Sequence, residues 1–191
     1  MTPKFKAFLA VSALASATAF AQPPDATALI AAQKEALALI SAMDGVWRGP
    51  AWTLQPNGEK RHITQTERIG PFLGGSVKVI EGRGYLSDGT VGFNALGIVS
   101  YDPAKKAYTL HSYALGRSGD FPLTARADGY DWQTPAGPGA VIKYSATIKD
   151  GTLHEVGDRV VEGREPLRIF EMKLKRVGDT DWPAANPVPK D

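Results

Sequence analysis

From Trp47 to the end of the chain's folded part, segments of alternating character are broken by turn chemistry roughly every ten residues. Pro56-Asn57-Gly58 separates "VWRGPAWTL" from "RHITQTERI", and Ser87-Asp88-Gly89 separates "SVKVIEGRGYL" from "VGFNALGIVSY". Asp102-Pro103 precedes "AYTLHSYAL", Asp128-Gly129 precedes "YDWQT", and Lys149-Asp150-Gly151 joins "AVIKYSATI" to "TLHEVGDRVVE". Gly163-Arg164-Glu165-Pro166 then leads into "LRIFEMKLKRV". Short strands joined by Asn-Gly, Asp-Gly and Pro-containing turns pair as antiparallel hairpins. The pattern predicts about nine or ten strands with no helix between them, in a sandwich or an up-and-down barrel. Closing the sheet removes the free edges that would otherwise need protection.

Ahead of this region the period changes. Asp25 is placed to cap a helix in which Leu29, Gln33, Ala36, Leu37, Ile40 and Met43 recur at three- and four-residue steps, giving one apolar stripe. Residues 22–44 are expected to form a helix that closes the barrel, with Gly45 stopping it, and residues 45–178 to form the barrel. Residues 179–191 read as a Pro-rich tail, disordered beyond Trp182. At the start, Lys4 and Lys6 precede an apolar run from Ala7 to Phe20 and the small-residue site Ala19-Phe20-Ala21. This is the layout of a secretory signal peptide over residues 1–21, and the run is too short for a transmembrane anchor. It predicts export, into a bacterial periplasm or beyond.

Cleavage would remove two of the 22 Lys and Arg and none of the 20 Asp and Glu, leaving no net charge. That balance gives no reason to expect a nucleic-acid partner. The chain has no cysteine, so an exported form depends on its core and not on disulfides, and no lipid-modified cysteine can anchor it to a membrane.

The junction "MDGVWRG" puts Trp47 between Gly45 and Gly49. A helix packed across a barrel end needs a bulky plug at the start of the first strand and glycines where backbones crowd. On the last strand Arg168, Phe170, Met172, Leu174 and Arg176 alternate on one face. The last strand of a closed barrel neighbours the first, so Arg176 or Arg168 is expected to stack on Trp47 as a cation–π pair. A Gly-x-Trp on the first strand with an Arg on the last is similar to the arrangement of lipocalin-like (calycin) barrels. More specifically, "MDGVWRGPAW", "ITQTERIGPFLGGSVKVIEGRGY", "GFNALGIVSYDPAKKAYTLHSYA" and "GDFPLTARADGYDW" resemble the exported bacterial family called domain of unknown function 1579. That resemblance implies a calycin-like barrel and carries no settled activity.

A barrel of this size can enclose a small ligand, so inward faces decide the chemistry. Val77, Val79, Glu81, Arg83 and Tyr85 share one face of their strand, and Leu153, Glu155, Gly157 and Arg159 share one of theirs. If the apolar members mark the inside, Glu81, Arg83, Glu155 and Arg159 lie there as either a structural charge network or a polar ligand site. In "ITQTERI", Ile63, Gln65, Glu67 and Ile69 share a face opposite Arg68.

The three histidines, His62, His111 and His154, have no short ligand spacing. Among related barrels the nitrobindin type also begins with Gly-x-Trp-x-Gly and binds haem through a barrel histidine. By that resemblance His111, with Tyr113 on its face, is the candidate here, although the last strand carries no histidine. "GRSGD" at 116–120 reads as a turn and not as a nucleophile elbow. Gly82-x-Gly84 lies within a strand and is no nucleotide fingerprint. The loop from Gly70 to Gly75 is either a lip at a barrel mouth or a bulged hairpin loop.

No catalytic constellation stands out, so the sequence favours a non-catalytic small-molecule binding or carrier barrel. The alternatives are an enzyme using Glu81, Arg83, Glu155 and Arg159 on a small polar substrate, and an envelope interaction domain whose barrel is filled. The sequence does not fix an oligomeric state.

Overall fold

The structure is a computed structural model describing residues 25–180 and residue 182. The expected signal peptide and the tail beyond Trp182 lie outside the described residues. Helix α1 (Ala26–Ala38) leads through a 3-10 turn (Ser41–Met43) into ten strands: β1 (Gly45–Leu54), β2 (Lys60–Phe72), β3 (Val77–Tyr85), β4 (Val91–Asp102), β5 (Ala107–Ala114), β6 (Arg117–Arg126), β7 (Gly129–Pro135), β8 (Ala140–Lys149), β9 (Thr152–Val161) and β10 (Leu167–Gly178). Each strand pairs antiparallel with the next, and β10 pairs with β1 to close the barrel.

The turn residues act as the sequence suggested. Asp88 Oδ1 accepts from Thr90 N at 2.9 Å, Asp102 Oδ1 from Ala104 N at 2.9 Å, and Asn57 Oδ1 from Glu59 N at 3.1 Å. Each side chain thereby replaces a backbone acceptor at a hairpin tip. "GRSGD" departs from the expectation. Only Leu115 and Gly116 turn, in left-handed conformations at φ 53° and 73°, and Arg117 already begins β6.

Asp25 caps α1 by accepting from Thr27 N at 3.0 Å, but the helix ends at Ala38, earlier than its apolar stripe implied. The 3-10 turn replaces its last part and lets Ile40 and Met43 reach the core while the chain reverses into β1. The helix closes one end of the barrel. Tyr108 Oη donates to Ala36 O at 2.7 Å, and Leu37, Ile40 and Met43 pack on Trp47, Ile69, Val99 and Leu174.

Trp47 is 1% exposed, and its Nε1 donates to Met43 O at 2.9 Å. Its flanking glycines answer to close approach. A Cβ on Gly45, whose φ is +143°, would meet Arg176 Nε at 2.8 Å, and one on Gly49 would sit 2.2 Å from Lys173 O of β10. Burying an indole of this size is worth several kcal/mol, and it requires the seam to lie this close.

Arg176 faces Trp47 in the β1–β10 register, but the guanidinium is directed to Asp179 and toward the Asp44 carbonyl, 3.4 Å from Nε. The described cation–π pairs are Lys60 over Trp52 and Arg68 over Trp182. Arg168, the second residue of β10, lies at the opposite end and binds Asp158 at 2.5 Å. A register shift between Arg168 and Phe170 breaks the alternation that had put them on one face.

Also at the closed end, Lys78 points inward, 2% exposed, and pairs with Asp44. The loop at Gly70–Gly75 lies here as well. β2 runs on to Phe72, and Leu73–Gly75 forms a 3-10 turn against α1.

Candidate interior binding site

Strand phase determines what the barrel holds. On β2 the inward positions are Ile63, Gln65, Glu67 and Ile69; on β7, Tyr130 and Trp132; on β8, Tyr144 and Ala146; on β9, Leu153, Glu155 and Gly157. Glu67 and Glu155 are 8% and 6% exposed. Each receives one hydrogen bond from protein: Gln65 Nε2 donates to Glu67 Oε1 at 2.6 Å, and Trp132 Nε1 donates to Glu155 Oε1 at 2.7 Å. No described cation forms an ion pair with either.

The fold makes room for these groups with small residues. Gly82 lies opposite Glu67 in the β2–β3 ladder and Ala146 opposite Glu155 in the β8–β9 ladder. A Cβ on Gly82 would meet Glu67 Oε1 at 2.8 Å, so the carboxylate lies flat on the β3 backbone. Gly157 does the same for Tyr144, whose ring carbon would be 2.8 Å from an added Cβ.

Burial dominates the electrostatics. It raises the Glu67 carboxyl to about 8, against the Gln65 hydrogen bond and with further upward pressure from the charges of Glu155 and Glu81. Burial raises Glu155 to about 7, opposed by the Trp132 hydrogen bond. Tyr130 is 6% exposed, and burial together with both carboxylates pushes its phenol well up. Its hydroxyl has no hydrogen-bond partner among the described residues.

Above this polar floor stands an aromatic wall. Trp132 and Tyr144 stack at 4.1 Å and 9°, with Phe121 and Phe170 each 5.9 Å from one of the pair. Trp132, Tyr144, Phe121, Phe170 and Ile63 face inward yet remain partly exposed, because among the described residues no helix lies over the end of the barrel away from α1. Aromatic faces above hydrogen-bonding groups with unused capacity suit a small-molecule site.

The residues singled out from sequence separate. Glu155 lies inside, as its alternation implied. Arg159, on the same face, sits at the open rim and is exposed. Glu81 and Arg83 are on the outer face, paired at 2.8 Å, with the Arg83 side chain 52% exposed. Tyr85, past a register shift, interacts with that guanidinium. The phase of β3 is therefore the reverse of the expected one. Its inner positions are Lys78, Ile80, Gly82 and Gly84, two of which carry no hydropathy signal, while Val77 and Val79 face out. The four charges do not converge, so the proposed charge network and the four-residue catalytic set are not assembled.

His111 also points outward, bonded to Asp120, with Tyr113 beside it at 4.7 Å. His62 lies on the outer face of β2, and His154 binds Glu171 at 2.9 Å on the outer face of β9. A haem held inside the barrel by a histidine thus finds no ligand there. No group of three or more His, Asp or Glu among the described residues is placed to hold a metal ion.

A concavity of about 630 Å³ lies on the outer face of β3–β5. It brings together Glu81, Arg83 and Tyr113 with Leu96, Leu115 and Trp182.

The face shared by Gln65 and Glu67 is visible in the sequence but not marked there as a site, and no motif singles out Trp132, Tyr130 or Tyr144. The available signal was two polar residues set between Ile63 and Ile69 on one face of a strand whose neighbour carries Gly82 and Gly84.

Among solved structures the fold is similar to that of Rv2717c from M. tuberculosis. The TM-score is 0.55 with 12% identity, over 76% of this chain and 97% of that one. At that identity the likeness is one of fold. No family model and no curated protein matches the chain.

Proposed function

We propose that the protein is a non-catalytic binding or carrier barrel, exported as its first residues suggest, that admits a small molecule through the end opposite α1. One observation carries this reading. Three buried polar side chains, Glu67, Glu155 and Tyr130, keep hydrogen-bonding capacity that no described protein group uses, beneath a partly exposed aromatic wall. These oxygens are not sealed from solvent, the buried side-chain atom without a partner among the described residues being Trp182 Nε1, so the floor fits an occupant that enters from the open end. Membership in domain of unknown function 1579 is part of the same proposal.

Native mass spectrometry of protein purified from an exporting host tests it. A mass lost on denaturation supports a carrier. A bare polypeptide, unchanged after incubation with cell extract, counts against it.

The outer groove favours a second reading, an interaction domain. Leu96, Tyr113 and Leu115 are exposed there, Leu115 at 76%, and apolar side chains grouped on one sheet face suit a protein partner. Leu96→Asp should then abolish complex formation in cross-linked envelope extracts while leaving the interior site intact.

A further inference from the structure

We propose that the interior site selects a small organic ammonium ion, its nitrogen between Glu67 and Glu155 and its hydrocarbon part against Trp132 and Tyr144. This assignment rests on reading the barrel interior as a binding site.

Complementarity of donors and acceptors supports it. Among the described groups, none donates to Glu67 Oε2, Glu155 Oε2 or the Tyr130 hydroxyl. Tyr130 is the independent sign of an occupant: it is 6% exposed, no described residue hydrogen-bonds to its hydroxyl, which is not sealed from solvent, and both carboxylates act on it. An ammonium brings three donors and no acceptor to a site whose free oxygens belong to two carboxyls and a phenol. An anion would face the charge of the carboxyl pair, and a neutral molecule would leave that charge uncompensated above neutral pH. The stacked Trp132 and Tyr144 offer ring faces to a cation.

The charge count agrees. With Glu155 at about 7 and Glu67 at about 8, each raised first by burial, the pair carries close to one negative charge just above neutral pH. That charge suits a monocation. Binding at lower pH must expel a proton to solvent.

The other groups facing the pair do not replace such a ligand. Lys78 on β3 is committed to Asp44, and Arg61 on β2 and Arg159 on β9 lie exposed at the rim. Tyr130 and Tyr144 have phenols raised by burial. Tyr108 on β5 bonds to α1, and Tyr101 on β4 packs on it at 4.9 Å. The inner faces of β1, β6 and β10 present Trp47, Ala51, Leu123, Met172 and Leu174 to the core. Glu81, from the outer face of β3, adds to the upward shift of Glu67.

Benzylammonium, benzyl alcohol and benzoate share a ring and differ in charge, so calorimetric titration of the full chain with each at pH 8 tests the assignment. Benzylammonium should bind at least about tenfold more tightly than benzyl alcohol, and benzoate weakest. Only the ammonium affinity should fall on lowering the pH to 6. The Glu67→Gln/Glu155→Gln double variant should bring the ratio to near one while keeping benzyl alcohol binding, which shows the aromatic part of the site intact. Equal or tighter binding of the alcohol or benzoate overturns the ammonium assignment and leaves a binding barrel standing. Absence of binding by all three overturns both.

Discussion

Replacing Glu67 by Gln should stabilise the protein above neutral pH and remove much of the pH dependence of its stability. In the folded state the Glu67 carboxyl titrates at about 8 and Glu155 at about 7, against an ordinary 4.5. Between the ordinary and raised values the native state holds protons that the unfolded chain has released, so stability falls as pH rises through that window. One pH unit is worth about 1.4 kcal/mol. From pH 5 to pH 8 the loss is therefore roughly 3 kcal/mol through Glu67 and roughly 2 kcal/mol through Glu155. The introduced amide would keep the hydrogen bond from Gln65 Nε2, because its oxygen can take the place of Oε1. Urea denaturation at pH 5, 6.5 and 8 measures both chains. Wild type should lose stability steadily across the series, and the variant should lose less than half as much. A wild-type stability that is flat or rises over this range, or a variant with the wild-type slope, refutes the claim that these carboxyls are buried without a cation.

Four further outcomes follow from the packing. Trp47→Ala empties the plug beneath α1 and should cost about 3–5 kcal/mol, read as a drop in the urea midpoint; Trp47→Phe should cost less. Asp44→Ala leaves Lys78 buried without its carboxylate and should cost about 3–5 kcal/mol, whereas Lys78→Met should cost less by the same assay. Gly49→Ala drives a Cβ into Lys173 O at 2.2 Å, and should weaken seam protection in amide hydrogen exchange along β1 and β10. Arg83→Met, on the outer face, should leave the denaturation midpoint unchanged; a large loss would put Arg83 in a structural network after all.

The strand count and turns were legible because turn chemistry is local: Asn57, Asp88 and Asp102 hold their own backbones whatever the rest of the chain does. The inside of β9 was legible too, since Leu153 and Gly157 flank Glu155 on its face. The phase of β3 was not. Its outer Val79 lines a groove, and its inner face holds two glycines and a lysine whose burial depends on Asp44, 34 positions away. Glu67 was hidden for the same reason. The space it occupies is a missing side chain on the neighbouring strand, and hydropathy does not record a missing side chain.

The seam between β1 and β10 also bears on how the molecule reaches its final form. The hydrogen bond from Trp52 to Glu171 across it joins residues 119 positions apart, while every other strand pair is a hairpin between sequence neighbours. Nine hairpins can form from local encounters, but the tenth junction needs both ends of the domain to meet, with the entropic cost of a long loop. Until β10 docks, β1 presents an unpaired edge open to a second chain. Linking the domain's ends and opening the barrel at the Asn57-Gly58 turn would make the seam a local event. Such a circular permutant should fold faster than the natural order while keeping the same interior.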